Sequence, residues 1–143
     1  PDPSIEAQLP FLQEALDAPT MVPLLVGDGD SEMMADIIDV ATQDETLLVV
    51  SANLSEGIQP DDARREDAET IEAIEEVRGG DIGRKSSSSR MALRGALEMC
   101  ERRGWRPECL QSTTSQGKGG AIAERLDEVT GYGAFVFKPE SHP

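Results

Sequence analysis

The chain has 143 residues, with 28 acidic and 13 basic side chains and a formal net charge of −15 at pH 7. A length close to ~150 residues predicts a single domain, and a strongly negative field argues against nucleic-acid partners because it repels phosphate backbones. No apolar run approaches the ~18 residues of a membrane span, and no signal-peptide pattern is visible. We therefore expect a cytoplasmic protein with no membrane association.

The basic residues consist of ten Arg and only three Lys, against an excess of carboxylates. A dense carboxylate surface needs counterions to relieve its self-repulsion, which is one feature of salt-adapted proteins. A merely acidic protein from a low-salt environment is the alternative. The composition leaves both readings open.

The N-terminal third alternates helical and apolar patterns. Apolar residues at helical spacing predict a helix over 4–17, but Pro10 should shorten it, kink it or mark the place where it begins. The apolar run 21–26 predicts a buried strand, although its internal proline weakens that assignment. Residues 27–30 predict a turn that caps a second helix over 32–42.

The middle of the chain carries its strongest strand pattern. Residues 46–51 (TLLVVS) are uncharged and apolar, and such runs are typical of strands buried on both faces. Residues 60–78 predict a helix with a proline and two aspartates in its first turn. Residues 79–89 are rich in Gly and Ser and predict a loop.

The C-terminal third completes the alternation. Residues 91–103 predict a helix that ends at Gly104, and residues 108–115 and 132–137 predict two strands. Strands that alternate with helices indicate an α/β fold. We expect a layered mixed sheet flanked by helices, with strand 46–51 at its centre.

The residue types that usually carry metal or covalent chemistry are scarce. The single histidine, His142, lies two residues from the C-terminus and is best interpreted as a tail residue. No zinc or non-haem iron site of normal composition can be built with one histidine. Cys100 and Cys109 make no disulfide framework, and we interpret both as small buried hydrophobic residues.

Three short motifs resemble functional loops only superficially. Residues 27–30 (GDGD) resemble a calcium loop, but the EF-hand offsets are not met, which favours a turn with a helix cap. Residues 117–120 (GKGG) do not satisfy the phosphate-loop pattern, which favours a flexible turn. The serine run 86–89 has no histidine to activate a hydroxyl, and we interpret it as a loop.

Five segments, taken in order, resemble the Memo family, whose members are relatives of the class III extradiol dioxygenases. Residues 2–12 (DPSIEAQLPFL) are similar to the family pattern E-H-S-x-E-x-x-L-P-F-L, and residues 49–57 (VVSANLSEG) to V-V-S-S-D-x-S-H-Y. Asp67 follows in a helix, as in the family. The remaining similar segments are 21–27 (MVPLLVG), 110–115 (LQSTTS) and 129–134 (VTGYGA). The resemblance spans residues 4–137 and implies the family's α/β fold.

The departures fall at the family's functional positions. The metal-ligand histidine of E-H-S aligns with Pro3, and the D-x-S-H pair aligns with Asn53 and Glu56. The family's C-G-x-x-P-I stretch aligns near residues 86–90 without its cysteine, and the later family cysteine or acid falls near Lys118. The segment with the family's first histidine has no counterpart in this chain. The resemblance therefore implies a degenerate active site, with no metal and no cofactor expected.

We expect one Memo-like domain over residues 1–143, equivalent to the C-terminal half of the family domain. The leading hypothesis is a non-catalytic scaffold or interaction subunit that has lost the family's metal site. The first alternative is a subunit or fragment of a dioxygenase-like enzyme whose site another chain or an N-terminal segment completes, using Asn53, Glu56 and Lys118. A weaker alternative is a small-ligand binding domain. A half-domain should leave strand edges uncovered, so we expect a homo-oligomer or a partner subunit.

Overall fold

The computed structural model describes residues 3–27, 29–42, 46–83, 90–116 and 127–139. The elements follow one another as helices α1 (Pro3–Glu6), α2 (Leu9–Ala15), α3 (Ser31–Ala41), α4 (Pro60–Glu75) and α5 (Arg90–Arg103), then strands β1 (Trp105–Thr114) and β2 (Gly131–Pro139). A short 3-10 turn, Gly79–Asp81, follows α4. Within the described ranges, no helix is both long enough and apolar enough to cross a membrane.

Local sequence signals explain where the helices begin and end. Asp30 caps α3 by accepting a hydrogen bond of 3.1 Å from the backbone N–H of Glu32. Pro60 opens α4 at a position where its missing N–H costs nothing. After α5, Gly104 adopts a positive φ of 64°, a conformation that favours glycine at the end of a helix. The predicted helices 32–42, 60–78 and 91–103 are therefore present.

Strands β1 and β2 form an antiparallel pair that runs in register from Trp105↔Pro139 to Thr114↔Gly131, with an irregularity between Cys109 and Gln111. The segment that precedes α4 joins the start of β2. Leu54 donates its N–H to the carbonyl of Gly131 at 3.0 Å, and Gly131 donates in return to the carbonyl of Ser55 at 3.0 Å. These bonds hold the segment before α4 close to the beginning of β2.

Two hydrophobic clusters lie on either side of α5. The first joins α4, the 3-10 turn and α5 through the buried residues Leu54, Ala73, Ile74, Ile82, Leu93 and Leu97. The second joins α3 to α5 through Ala35, Ile38, Ala96, Met99 and Cys100. At Gly95 a Cβ atom would overlap Met34, so this glycine allows α3 and α5 to approach closely. At the rim of that contact, Arg102 bonds Asp36 at 2.7 Å.

The α/β class is confirmed, but three details of the predicted architecture are wrong. The run 21–26 and the expected central strand 46–51 are not strands, because no ladder partner pairs with them among the described residues. The described strands form an antiparallel pair instead of a mixed sheet. The predicted interruption of helix 4–17 near Pro10 is confirmed, since α2 begins at Leu9 with Pro10 in its first turn, where proline is tolerated.

Candidate functional site

The residues predicted from the family alignment do not assemble into a metal site. Asn53 is half-buried and Glu56 is exposed in the segment before α4, while Pro3 starts α1. Lys118 and His142 lie outside the described residues. Within the part of the chain that the structure describes, no group of three or more His, Cys, Asp or Glu side chains is placed to hold a metal ion.

A cleft of about 340 Å³ lies elsewhere, between α4 and the C-terminal half of β1. One helical face of α4 forms one wall, and three consecutive hydroxyl-bearing residues of β1 form the other. The lining residues are Arg64, Asp67, Ala68 and Ile71 from α4, and Ser112, Thr113 and Thr114 from β1. The α4 residues follow the i, i+3, i+4, i+7 spacing of neighbours on one face of a helix. The cleft volume falls within the range typical of small-molecule sites.

Asp67 is the buried acid of this cleft. Its residue exposure is only 6%, and its carboxylate rests directly against the backbone of Gly131, where any Cβ atom would overlap it. Burial raises the pKa of Asp67 above its ordinary value of 3.8, and the neighbouring charge of Glu66 raises it further, while Ser55 pulls it back in part. The fold therefore holds a carboxylate where water solvates it poorly.

The polar atoms around Asp67 lack partners. Asp67 Oδ1, Ser55 Oγ and Glu66 Oε2 are buried and accept or donate no hydrogen bond within the described part of the chain. Ser55 lies close enough to influence the pKa of Asp67, but its hydroxyl does not reach hydrogen-bond geometry. Buried polar groups are nearly always hydrogen-bonded in native proteins. This cluster is therefore rich in unused hydrogen-bond acceptors and in negative charge.

Arg64, the cation on the wall of this cleft, already forms an ion pair. The guanidinium of Arg64 pairs with Asp61 one turn earlier on α4, where both side chains are largely exposed. Arg64 thus lies at the mouth of the cleft and bonds outward. No hydrogen bond or ion pair joins it to Asp67 among the described contacts.

A second cleft, of about 230 Å³, lies where the 3-10 turn meets α5. Its lining includes Arg78 and Arg94, and both arginines make contacts that stabilise the turn. Arg78 pairs with Glu76 at 2.7 Å and also with Asp81. Arg94 donates to the carbonyls of Ile82 at 3.0 Å and of Gly80 at 3.2 Å. Because these guanidinium groups already close the turn, this cleft is a structural feature.

Both cysteines are free thiols; the prediction of a buried residue is confirmed for Cys100 and wrong for Cys109, which is only half-buried on β1. Cys100 is fully buried, and burial raises its pKa to about 11. Burial also raises the pKa of Cys109, and the charge of Glu75, which accepts from the Cys109 N–H at 3.1 Å, raises it further. A raised pKa removes the thiolate that nucleophilic chemistry needs.

Sequence reasoning noted Asp67 only as a helix residue shared with the family and did not name it as a site residue. A signal was present in the pattern of α4. The buried positions of this helix are Ala63, Asp67, Thr70, Ala73 and Ile74, so that Asp67 falls within the buried stripe. A charged residue inside an otherwise small or apolar stripe indicates a buried acid, and buried acids often have functional roles.

The helices packed around a strand pair define an α/β protein with a cleft against its sheet that the buried Asp67 helps to line. Among known families, the sequence model described as Memo-like protein matches residues 2–99, more than half of the chain. The chain therefore belongs to the Memo-like family. No curated protein and no solved structure gives a significant match. The similar segments at 110–115 and 129–134 lie beyond the matched residues, so their part of the resemblance stays a prediction.

Proposed function

We propose that this chain is a non-catalytic Memo-like protein that acts as a scaffold or interaction subunit. The observation that supports it best is the environment of segment 46–50. Leu48 and Val50 pack against the cluster between α3 and α5, whereas Leu47 and Val49 remain 65% and 47% exposed. The segment thus covers the core with one side and presents branched apolar side chains on the other.

The backbone of this segment supports the same proposal. Residues 47–53 make no backbone-to-backbone hydrogen bond within the described ranges, and residues 47–50 alternate in burial as a strand does. An apolar segment that joins no sheet among the described residues can serve as a template for an added strand. Segment 46–50 is uncharged, so a second strand could approach it without facing the chain's negative charges.

We propose a second copy of this chain as the partner. Antiparallel pairing of the same segment across a two-fold axis is self-complementary, and two-fold interfaces are the commonest in soluble oligomers. The net charge of −15 opposes this association at low salt and would be screened as salt rises. Association with a partner subunit of a different sequence is the competing outcome.

The side chains at the family's ligand positions support a non-catalytic role. Pro3 offers no ligand atom in its side chain, and Asn53 and Glu56 offer only oxygen ligands. Oxygen ligands suit hard cations, whereas iron and zinc sites in proteins rely on imidazole or thiolate as well. The alternative enzyme, completed by another chain and using Asn53, Glu56 and Lys118, would need those missing ligands from outside.

Sedimentation velocity across a range of protein and salt concentrations tests the interaction role. We expect a dimer that Leu47→Lys converts to a monomer. Leu110→Lys is the matched control, because Leu110 is also a leucine, is 63% exposed and lies on β1 instead of in the segment. A monomer for the unmodified chain at all concentrations, or equal effects of the two variants, would contradict the proposal.

Metal analysis separates the two functional readings. We expect no stoichiometric iron, copper or zinc in washed protein. Bound iron or zinc that is lost on Asn53→Ala or Glu56→Ala would instead establish the enzymatic alternative.

A further inference from the structure

We propose that residues 47–53, which we call the strap, close onto the free edge of β2 as a third antiparallel strand. This closure prepares the other edge of the strap for a second copy of the chain. The coupling to a second copy rests on the interaction role proposed above, whereas the closure itself can be measured within a single chain.

The chain that follows the strap is already bonded to the start of β2. Leu54 donates its N–H to the carbonyl of Gly131, and Gly131 donates to the carbonyl of Ser55, each at 3.0 Å. Further along, Ile58 and Val129 form an antiparallel bridge. The two segments therefore run antiparallel where they meet, and the strap begins one residue before the bonded pair.

The rest of β2 has a free edge on the same side. The N–H and C=O of Gly131 bond to the segment after the strap, so they point away from β1. Backbone groups alternate in direction along an antiparallel strand, and those of Gly133, Phe135 and Phe137 therefore also point away from β1. The irregularity of the ladder places its extra residue on β1, which leaves the alternation along β2 unbroken. Among the described residues, no third strand joins this sheet.

The bonds at Gly131 set the register in which the strap closes. Pairing of antiparallel strands continues from Leu54↔Gly131 by moving back along the strap and forward along β2 in equal steps. The hydrogen-bonded pairs are then Ala52↔Gly133, Val50↔Phe135 and Leu48↔Phe137.

The burial of the side chains agrees with this register. Leu48 and Val50 pack against the cluster between α3 and α5, and Phe137 packs against the same cluster. The alternate strap residues Leu47 and Val49 are exposed. A slip of one residue would turn these exposed side chains towards the core face. The register set at the start of β2 is therefore also the one that keeps the half-buried side chains of both segments on one face.

Closure leaves the second edge of the strap available. Residues 48, 50 and 52 direct their backbone groups at β2, so residues 47, 49 and 51 direct theirs outwards. A second copy that pairs with this outer edge extends the sheet across the two-fold axis. Because the closed strap is already ordered, association no longer has to order it, and by linkage the second copy favours closure to the same degree.

An engineered disulfide tests the closure within one chain. In this register Ser51 and Ala134 form a non-hydrogen-bonded pair, whose Cα atoms lie about 4.5 Å apart in antiparallel sheets, within the reach of a disulfide. Ser51→Cys with Ala134→Cys, in a Cys109→Ser background, should form an intrachain disulfide in dilute protein under mild oxidation. Ala52→Cys with Ala134→Cys is the matched control, because it moves one cysteine to the opposite face of the strap. The control should stay reduced in mass spectra of the intact chain.

Amide hydrogen exchange of the unmodified chain separates closure from association. In dilute protein the amides of residues 48, 50 and 52 should exchange at least about tenfold more slowly than those of residues 47, 49 and 51. The second group should become protected only as the protein concentration is raised and the dimer forms. In sedimentation velocity, the disulfide form of the Ser51→Cys, Ala134→Cys variant should dimerise about tenfold more tightly than its reduced form.

Equal disulfide yields in the two double-cysteine variants, or equal exchange of the two groups of amides in dilute protein, would overturn the closure. Protection of residues 47, 49 and 51 alone would also overturn it, because the second copy would then pair with an open strap. An unchanged dimer affinity in the disulfide form would overturn the coupling. A monomeric chain with slow exchange at residues 48, 50 and 52 would support closure and reject the interaction role, so the two failures are distinguishable.

Discussion

Two leucines that both lie in apolar stretches of the sequence have opposite environments in the structure. Leu97 is fully buried between α4 and α5, whereas Leu25 is 72% exposed. We call α3, α4, α5, β1 and β2 the packed unit, and residues 21–25 and 46–50 the apolar segments. Helices bury an apolar stripe against a neighbour, whereas an extended segment that joins no sheet among the described residues leaves one of its sides exposed. The comparison teaches that apolar sequence by itself does not place a residue in the core.

The largest expected effect comes from making one substitution in each region. Leu97→Ala should lower the free energy of unfolding by about 2–5 kcal/mol, because it leaves a cavity in the packed unit. Leu25→Ala should change it by less than about 0.5 kcal/mol in dilute protein, as for exposed positions. Urea unfolding measures both. Equal losses would show that the apolar segments are packed as tightly as the helices.

The close contact between Asp67 and Gly131 tests the tight packing of the same unit. Gly131→Ala should destabilise the protein by about 1–3 kcal/mol, since the added Cβ overlaps the Asp67 carboxylate. Gly80→Ala is the control, because a Cβ there meets no atom within 4 Å. We expect Gly80→Ala to change stability by less than about 0.5 kcal/mol. A harmless Gly131→Ala would mean that the buried acid can move away.

The buried acid also predicts a pH dependence. The folded pKa of Asp67 is raised above 3.8, so the native state holds this proton more tightly. The contribution of Asp67 to the stability of the folded state is most favourable below about pH 3.8, and it is lost as the pH rises through the folded pKa. Asp67→Asn should therefore stabilise the protein at neutral pH, and the gain should shrink as pH falls towards 3.8.

The control for this pH dependence is Glu69→Gln, which removes an exposed acid from the same helix. Chemical unfolding of both variants across the acid range separates burial from net charge. A stability gain that is equal in the two variants, or that grows at low pH, would contradict the assignment of a buried, poorly solvated Asp67.

Salt should have the smallest effect on the packed unit. A net charge of −15 repels itself, and raising KCl from about 0.1 to 2 M should raise the melting temperature by a few degrees as the Debye length falls. NaCl should raise the melting temperature by a similar amount. A non-ionic osmolyte is the control, because it strengthens apolar burial without screening charge. An unchanged midpoint would reject salt adaptation.

Much of the packed unit could be predicted from the sequence. The helices over 32–42, 60–78 and 91–103 follow from apolar spacing and end signals that act within a few residues, and both strands of the antiparallel pair were located. Strand β1 begins at Trp105 instead of residue 108, because the ladder with β2 extends to Pro139. Such pairing depends on the partner strand and carries no local signal.

The candidate site was the least predictable part. Asn53 and Glu56 were chosen by alignment with a family motif, and the structure gathers no metal-binding group around them within the described residues. The carboxylate of Asp67 is buried against Gly131, which lies 64 positions further along the chain. A pKa shift produced by burial requires knowing which distant backbone covers the carboxylate.

The sequence by itself determined the family, the α/β class, the acidic surface and the helices of the packed unit, because helix hydrogen bonds and caps join residues close in the chain. Tertiary structure decided that segment 46–50 packs on one side only and that Asp67 is enclosed between α4 and β2. Both outcomes depend on contacts between distant parts of the chain. A strand exists only with a partner, and a carboxylate is buried only when another segment excludes water from it.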